Sequence, residues 1–297
     1  MPKTPAWARN KHVFATLGLL AFAFSNGFIV SVGVAWAQTR PDLVSTDRLR
    51  VCADPADMPF SNKAKEGFEN KIAALVADEL KLPLHFYFMP QGPGFVRNTL
   101  GTTLCDVIMG YASGSDIVDH TNAYYASTYV LVTKKGGPLD GIDRLEDPRL
   151  KEAKLGIMAG TPPADHFMEL GLTPKAKTYP LLVDRRYASP AEDAMHDVES
   201  GLIDGVVLWG PIAGYYAKMQ SPPLSMTPLI EDKRPKLDYR IAFGIRRGEA
   251  EWKHRLNDVI RKRQKDIDAI LQSYGVPLMP ISGAAENAPS KTPGGGE

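Results

Sequence analysis

Two stretches of the chain repeat one order of predicted elements, which is strand, helix, strand, helix, strand. The helix of the first stretch is the clearest, because its apolar residues recur at steps of three and four. A repeated strand and helix order predicts a mostly parallel sheet with helices on its faces. The predicted elements are 50–53, 67–82, 84–88, 94–102 and 106–110, then 154–158, 162–171, 176–182, 189–201 and 204–209.

The two stretches are predicted to form two lobes of one α/β protein. Strands 127–133 and 239–247 flank the second stretch, so we expect them to be hinge strands that cross between the lobes. Residues 44–133 and 236–281 would then form lobe 1, and residues 134–235 would form lobe 2.

Ligand-binding loops are expected beyond the carboxyl ends of the parallel strands, as in other open α/β sheets. In this chain those loops begin at Ala53, Gly110, Met158 and Leu208.

The first 37 residues have the composition of a secretory signal peptide. Three basic residues precede a long apolar run, and Ala35-Trp36-Ala37 provides a small-x-small exit after it. Cleavage after Ala37 predicts a periplasmic protein without a stable membrane insertion, and the alternative is an uncleaved membrane anchor. At the other end, residues 282–297 are rich in Gly, Pro and Ala and predict a disordered tail.

The charge balance does not favour nucleic acid as a partner. The leader holds three of the 35 basic residues and no acidic residue, so the exported chain has 32 basic and 34 acidic residues. A net charge of −2 attracts no polyanion.

Both cysteines lie in the exported part of the chain. Cys52 and Cys105 are at predicted neighbouring strands, and an oxidising compartment favours a disulfide between them. The alternative is a pair of buried free thiols.

Several motifs, in their order, resemble the extracellular solute-binding proteins of family 3. The resemblance covers about residues 48–278 and implies a type II periplasmic binding protein fold, with two α/β lobes, two hinge strands and a cleft between the lobes. Its motifs are LRVCADPADMPFSN, EGFENKIAALVADELKLPLHF, DVIMG, AYYAST, KLGIMAGT, ESGLIDGVV, IAFGIRRGEAEWKHRLNDVI and AILQSYGVP.

Some of these motifs resemble a narrower branch, the J proteins of methanol oxidation clusters. VCADPADMPFSN, GFENKIA, GFVRNTL with CDVIMG, and LEDPRL carry this likeness. It implies an accessory role beside a quinoprotein methanol dehydrogenase, whose cofactor is PQQ. For this chain itself we expect no cofactor and no metal.

The resemblance also shows where an amino-acid ligand would be held, and both places are altered. Relatives that bind amino acids use an Arg for the ligand carboxylate, whereas residues 110–125 contain no Arg or Lys. Asp204 is kept, but Trp209-Gly210 stands where a second acid would hold the ammonium group. An amino acid is therefore not the expected ligand, and an aromatic-lined cleft suits an apolar ligand or a segment of a partner protein.

The candidate cleft residues come from the loops and motifs above. Thr161 has two interpretations, because the start of helix 162–171 could hold an anion or Thr161 could simply cap the helix. In each of the two Tyr-Tyr pairs, at 124–125 and 215–216, one ring is expected in the core. The candidates are Asp54, Met58, Phe60, Tyr111, Ser113, Tyr125, Gly160, Thr161 and Trp209.

An enzyme is not expected. The chain has no nucleophile elbow, zinc-protease motif or phosphate loop. Glu192, His196 and Glu199 share one helix face, and a solvated face explains them better than a metal. Some relatives on this fold resemble dehydratases, and such an enzyme would need an acid or base in the cleft. The candidates for that group are Asp54, Asp57, Asp116 and Asp119.

Three hypotheses follow from the sequence. The first is a periplasmic accessory factor for the maturation, assembly or activation of a methanol dehydrogenase. The second is a receptor that delivers a small solute other than an amino acid to an ABC transporter. The third is an enzyme on the same fold.

Overall fold

The computed structural model describes residues 43–114, 116–219, 224–230 and 236–281. The predicted signal peptide and the predicted disordered tail lie outside the described residues. Within the described residues, no helix combines the length and the apolar composition needed to cross a membrane.

The described residues form strands and helices close to those predicted. The strands are Leu49–Ala53 (β1), Ala56–Asp57 (β2), Ser61–Asn62 (β3), Leu84–Phe88 (β4), Val107–Ala112 (β5), Asp119–Lys134 (β6), Leu155–Met158 (β7), Lys177–Tyr179 (β8), Gly205–Trp209 (β9), Leu224–Pro228 (β10) and Asp238–Ile245 (β11). The helices are Phe68–Leu80 (α1), Phe95–Asn98 (α2), Pro162–Glu169 (α3), Pro190–Ser200 (α4), Gly210–Ala217 (α5) and Ala250–Ser273 (α6).

Local sequence explains where these helices begin and end. The Asn70 side chain accepts hydrogen bonds from the backbone N–H groups of Gly67, at 3.2 Å, and Asn62, at 3.0 Å, at the start of α1. Helix α4 begins at Pro190 and ends before Gly201, whose φ of 79° is the left-handed conformation that glycine tolerates.

The strands join into one continuous sheet with two parallel halves. Its order is β4-β1-β5-β11-β6-β9-β7-β8, with β10 also paired to β6. Strand β1 is parallel to β4 and β5, and β7 is parallel to β8 and β9. Strands β6 and β11 are antiparallel to their neighbours and lie between the two halves.

The long strand β6 connects the halves. Its first part pairs with β11, and its second part, from Tyr129, pairs with β9 and β10. We call the part built on β1, β4, β5, α1, α2 and α6 lobe 1, and the part built on β7 to β10 and α3 to α5 lobe 2. The predicted α/β fold with two lobes and two connecting strands is confirmed, whereas the domain limits at residues 133 and 236 stay a prediction.

Two of the differences between predicted and observed strands result from tertiary pairing. Strand β6 begins at Asp119, eight residues before the predicted start at 127, because pairing with β11 keeps a polar stretch extended. Strand β10 was not predicted, since its segment follows a proline-rich connection and its pairing with the edge of β6 is a tertiary contact.

Each lobe has its own core. In lobe 1, α1 and α6 pack on the sheet, and Phe68, Phe243 and Trp252 are almost fully buried. In lobe 2, Val130 and Val132 face one core while Leu131 faces the other. The alternation follows from the two-residue period of a strand and shows that the lobe 2 sheet is covered on both faces.

The predicted disulfide is present between Cys52 on β1 and Cys105 just before β5, with Cα atoms 5.4 Å apart. Beside it, the buried Asp106 carboxylate accepts hydrogen bonds from Arg50, at 2.6 and 2.7 Å, and from Arg246, at 2.7 Å. These contacts fix the strand arrangement from which the cleft loop of lobe 1 emerges.

Candidate functional site

A cleft with a volume of about 820 Å³ lies between the lobes. Both lobes contribute to its lining, and most of the contributed side chains are apolar. Lobe 1 and the connecting strands provide Pro55, Ala56, Asp57, Met58, Asn62, Ala112, Tyr129, Tyr239 and Ile241. Lobe 2 provides Met158, Thr161, Pro162, Pro180, Leu181, Arg185, Arg186, Ala188, Ser189, Pro190, Ala191, Glu192, Leu208, Trp209, Ile212 and Tyr216.

The lobe 1 side of the cleft is the loop that follows β1. The buried carboxylate of Asp54 holds this loop by accepting hydrogen bonds from the N–H of Ala56, at 2.8 Å, and of Gln91, at 2.5 Å. The β2–β3 hairpin then presents Asp57 and Met58 to the cleft. Asp54 therefore shapes the loop, and the two residues of the hairpin face the cavity.

Three aromatic residues lie where the chain crosses between the lobes. Tyr129, Trp209 and Tyr239, which we call the hinge aromatic cluster, all line the cleft. The ring centroids of Tyr129 and Trp209 are 5.3 Å apart, and those of Trp209 and Tyr239 are 5.9 Å apart. Burial raises the pKa of Tyr129, so its hydroxyl is neutral at physiological pH.

The start of α3 forms part of the lobe 2 side. Thr161 lines the cleft, and its hydroxyl donates a hydrogen bond to the Met158 carbonyl at 2.7 Å. The hydroxyl makes no hydrogen bond that caps the helix. Gly160 precedes it with a φ of 72° and does not line the cavity.

An ion pair joins the two sides of the cleft. Arg185, in the segment between β8 and α4, contacts the carboxylate of Asp57 on β2. The Asp57 side chain is 7% exposed and the Arg185 side chain is 36% exposed. Burial lowers the pKa of Arg185, which Asp54 partly opposes through its negative charge.

Arg185 was not among the residues selected from the sequence. The segment of residues 180–189 follows the carboxyl end of β8, so the rule that places ligand loops after parallel strands could have included it. The sequence could not show that Asp57 would be opposite Arg185, because the two residues belong to different lobes.

The structure brings Met58, Thr161 and Trp209 together in the cleft. Phe60 instead packs on lobe 1, with its ring centroid 5.2 Å from that of Phe68. Tyr125 is 2% exposed in the lobe 1 core.

Two further candidates lie near the end of β5. Tyr111 lines a second cavity of about 470 Å³ together with residues 91–97. The backbone N–H of Ser113 donates to the Arg240 carbonyl at 2.9 Å.

A buried carboxyl group, Glu69, lies beneath the cleft loop. Burial raises the pKa of Glu69 to about 8, and the negative charge of Asp54 contributes to this rise. Its Oε1 occupies the space that a side chain at Gly110 would need. Glu69 does not line the cavity, so it is part of the support of the cleft and not of its surface.

Another acidic candidate, Asp119, makes its contact within lobe 1. Asp119 is paired with Lys253 at 2.9 Å. The described residues contain no group of three or more His, Cys, Asp or Glu side chains placed to hold a metal. His196 and Glu199 are 3.3 Å apart on α4, where the histidine is largely exposed.

Comparison with known proteins identifies a family that the chain matches and solved structures that are similar to it. The model of the family described as bacterial extracellular solute-binding proteins, family 3, matches residues 49–277. "Protein MoxJ" of Paracoccus denitrificans is 29% identical over 264 residues, which cover 84% of this chain and 95% of that protein.

Two solved structures are similar over their full length. The periplasmic binding protein XoxJ from Methylobacterium extorquens AM1 is 44% identical with a TM-score of 0.67, covering 78% of this chain and 99% of XoxJ. MxaJ from Methlophaga aminisulfidivorans MPT is 27% identical with a TM-score of 0.69, covering 78% of this chain and 100% of MxaJ.

Proposed function

The chain belongs to the bacterial extracellular solute-binding proteins of family 3, with the type II periplasmic binding protein fold, and from this premise we propose that it is a non-catalytic accessory factor of a methanol dehydrogenase system. The dehydrogenase would be PQQ-dependent, and the chain would act in its maturation, assembly or activation. Export through the leader 1–37 would bring the chain into the periplasm.

The observation that carries this proposal is the cleft. It keeps the size of a ligand pocket, about 820 Å³, but its base is the hinge aromatic cluster. Of the two arginines on the described lining, Arg185 is paired with Asp57 and Arg186 with Asp184. Such a cleft suits an apolar group better than a free amino acid, because a buried zwitterion without charged partners is unstable.

The relatives support the choice of system. XoxJ, MxaJ and MoxJ are similar to this chain over most of their lengths, and they carry the names of the J proteins of methanol oxidation clusters. The site residues that we propose for contact with an apolar group are Met58, Thr161 and Trp209, which share the cleft.

Deletion of the gene in the source bacterium tests the proposal. We expect loss of methanol oxidation while the dehydrogenase polypeptide is still made and exported, and we expect the tagged chain to co-purify with the dehydrogenase from methanol-grown periplasm. Complementation with a Met58→Asp variant should fail, because it places a charge on the apolar side of the cleft. A Lys175→Gln variant on the exposed surface is the matched control. Normal growth of the deletion strain on methanol would refute the proposal.

A second function is a receptor for a small solute other than an amino acid, working with an ABC transporter. The cavity volume favours it, because about 820 Å³ is within the range of small-molecule pockets. A ligand that binds only the folded protein raises the melting temperature, so a thermal-shift screen with a broad metabolite panel tests this function. A panel without any stabilising compound would count against it.

A further inference from the structure

The cleft contains a charged feature that the proposed function does not use. Asp57 and Arg185 meet across the cavity, one from the β2–β3 hairpin of lobe 1 and the other from the segment before α4 in lobe 2. Among the described residues, Arg185 is the one basic side chain within ion-pair distance of the Asp57 carboxylate. Both residues line the same cavity as the hinge aromatic cluster.

We propose that the Asp57–Arg185 pair determines the specificity of the cleft, so that the cleft accepts an uncharged, largely apolar molecule and rejects anions. The inference concerns the cleft of the isolated protein and holds whether or not the protein serves a dehydrogenase.

The physical reason is the cost of separating the pair. A carboxylate ligand would have to take Arg185 from Asp57, and Asp57 would remain almost buried without a cation. Leaving one partner of a buried pair uncompensated is strongly unfavourable.

An uncharged molecule avoids this penalty. It can occupy the space between Met58, Trp209 and Tyr239 while the ion pair stays intact. Its apolar surface then leaves water, which is the main favourable contribution to binding in such a pocket. In an amino-acid receptor, charged side chains of the cleft pair with the charges of the ligand. In this chain, the two charged side chains of the pair neutralise each other instead.

Glu192 adds to the discrimination against anions. Its side chain lines the same cavity on α4, so a second negative charge faces an entering anion. Arg186 is on the lining too, but it is already bonded to Asp184 at 2.6 and 2.8 Å.

Two fluorescent probes with the same ring framework test the proposal on purified protein. N-phenyl-1-naphthylamine is uncharged, and 8-anilino-1-naphthalenesulfonate carries one negative charge. We expect the wild-type protein to bind the uncharged probe at least about tenfold more tightly than the anion, a difference of about 1.4 kcal/mol. A Trp209→Leu variant should weaken binding of the uncharged probe, which locates it in the cleft.

Variants of the pair give the decisive result. Asp57→Asn frees the charge of Arg185 and should raise the affinity for the anionic probe at least about tenfold. The double variant Asp57→Asn, Arg185→Gln should still bind the uncharged probe, but its affinity for the anionic probe should not rise. Asp143→Asn is the matched control, since it makes the same charge change at an exposed aspartate that contacts an arginine, Arg144, away from the cleft lining.

Several outcomes would overturn the proposal. These are no binding of the uncharged probe to the wild-type protein, equal affinity for both probes, or no gain in Asp57→Asn. Far-ultraviolet circular dichroism of each variant separates a loss of fold from a loss of binding. Because the assay uses no dehydrogenase, its failure leaves the accessory function to be judged by the deletion strain alone.

Discussion

Among the described residues, two buried aspartates contact arginine, and they differ in the origin of the arginines. Asp106 contacts Arg50 at 2.6 Å and Arg246 at 2.7 Å, and all three residues belong to the framework of lobe 1. Asp57 contacts Arg185, which belongs to the opposite lobe. The exposed fractions are similar, 1% for the Asp106 side chain and 7% for that of Asp57.

The difference shows that burial alone does not decide whether an ion pair stabilises the fold or positions the lobes. Asp106 cannot leave its arginines unless the strands of lobe 1 separate, so its contacts contribute to the stability of the fold. Asp57 and Arg185 can separate when the lobes move apart, and water then solvates both. Their contact contributes to the position of the lobes and to the choice of ligand.

The largest expected effect is the loss of the charge of Asp106. Asp106→Asn leaves Arg50 and Arg246 without their carboxylate inside lobe 1, and we expect the free energy of unfolding to fall by about 3–5 kcal/mol. Urea denaturation monitored by circular dichroism measures this change. Asp184→Asn, on an exposed segment, serves as the control. A loss below about 1 kcal/mol would remove the distinction between the two carboxylates.

The disulfide next to Asp106 is expected to contribute somewhat less. Replacing Cys52 and Cys105 together by Ser releases a loop with a sequence separation of 53, and we expect a loss of about 2–4 kcal/mol. Denaturation of the double variant beside the oxidised wild-type protein checks this value. If both proteins unfold at the same urea concentration, the strand arrangement around Asp106 does not depend on the covalent bond.

Glu69 is a buried carboxyl group for which no arginine partner is found among the described residues, and its effect on stability depends on pH. Its pKa is about 8 in the folded protein and 4.5 ordinarily, so the folded state keeps a proton that the unfolded state releases. The contribution of Glu69 to the free energy of unfolding is therefore fully present below pH 4.5. It falls as pH rises towards 8, by at most about 1.4 kcal/mol per pH unit.

Glu69→Gln tests this pH dependence, because the amide cannot release a proton. We expect the variant to match the wild-type protein near pH 4 and to be more stable than it at pH 8.5. Urea denaturation at several pH values measures the difference. A difference that is constant over this range would show that the carboxyl does not titrate in the expected window.

The smallest expected effect on stability is that of Asp57→Asn. Because the cleft can open and hydrate Arg185, we expect a loss of less than about 1 kcal/mol, as for ion pairs that water can reach. Small-angle X-ray scattering should instead show a larger radius of gyration, since the contact across the cleft is weakened. A loss as large as that of Asp106→Asn, with an unchanged radius, would mean that both pairs are structural.

Much of the fold could be predicted because its elements carry local signals. Helix 67–82 was predicted from its apolar periodicity, and the structure has Phe68–Leu80. The first half of β6 carried no such signal, because Asp119, His120 and Asn122 interrupt any alternation. Pairing with β11 keeps this stretch extended.

The candidate site was predictable only in part. The sequence indicates which loops follow the strands, and this is how Met58, Thr161 and Trp209 were selected. It does not indicate which way a side chain turns within its loop. Phe60 is an example, because it is only two residues after Met58 but its ring lies against Phe68 and not in the cleft.

The sequence by itself determined the α/β class, the repeated element order, the family and the altered anchors for an amino acid, because each depends on residues close together in the chain. Only the tertiary structure decided that Asp57 faces Arg185, that the hinge aromatic cluster forms and that Glu69 is buried. Those features depend on segments far apart in the chain, and the order of strands in the sheet brings the segments together.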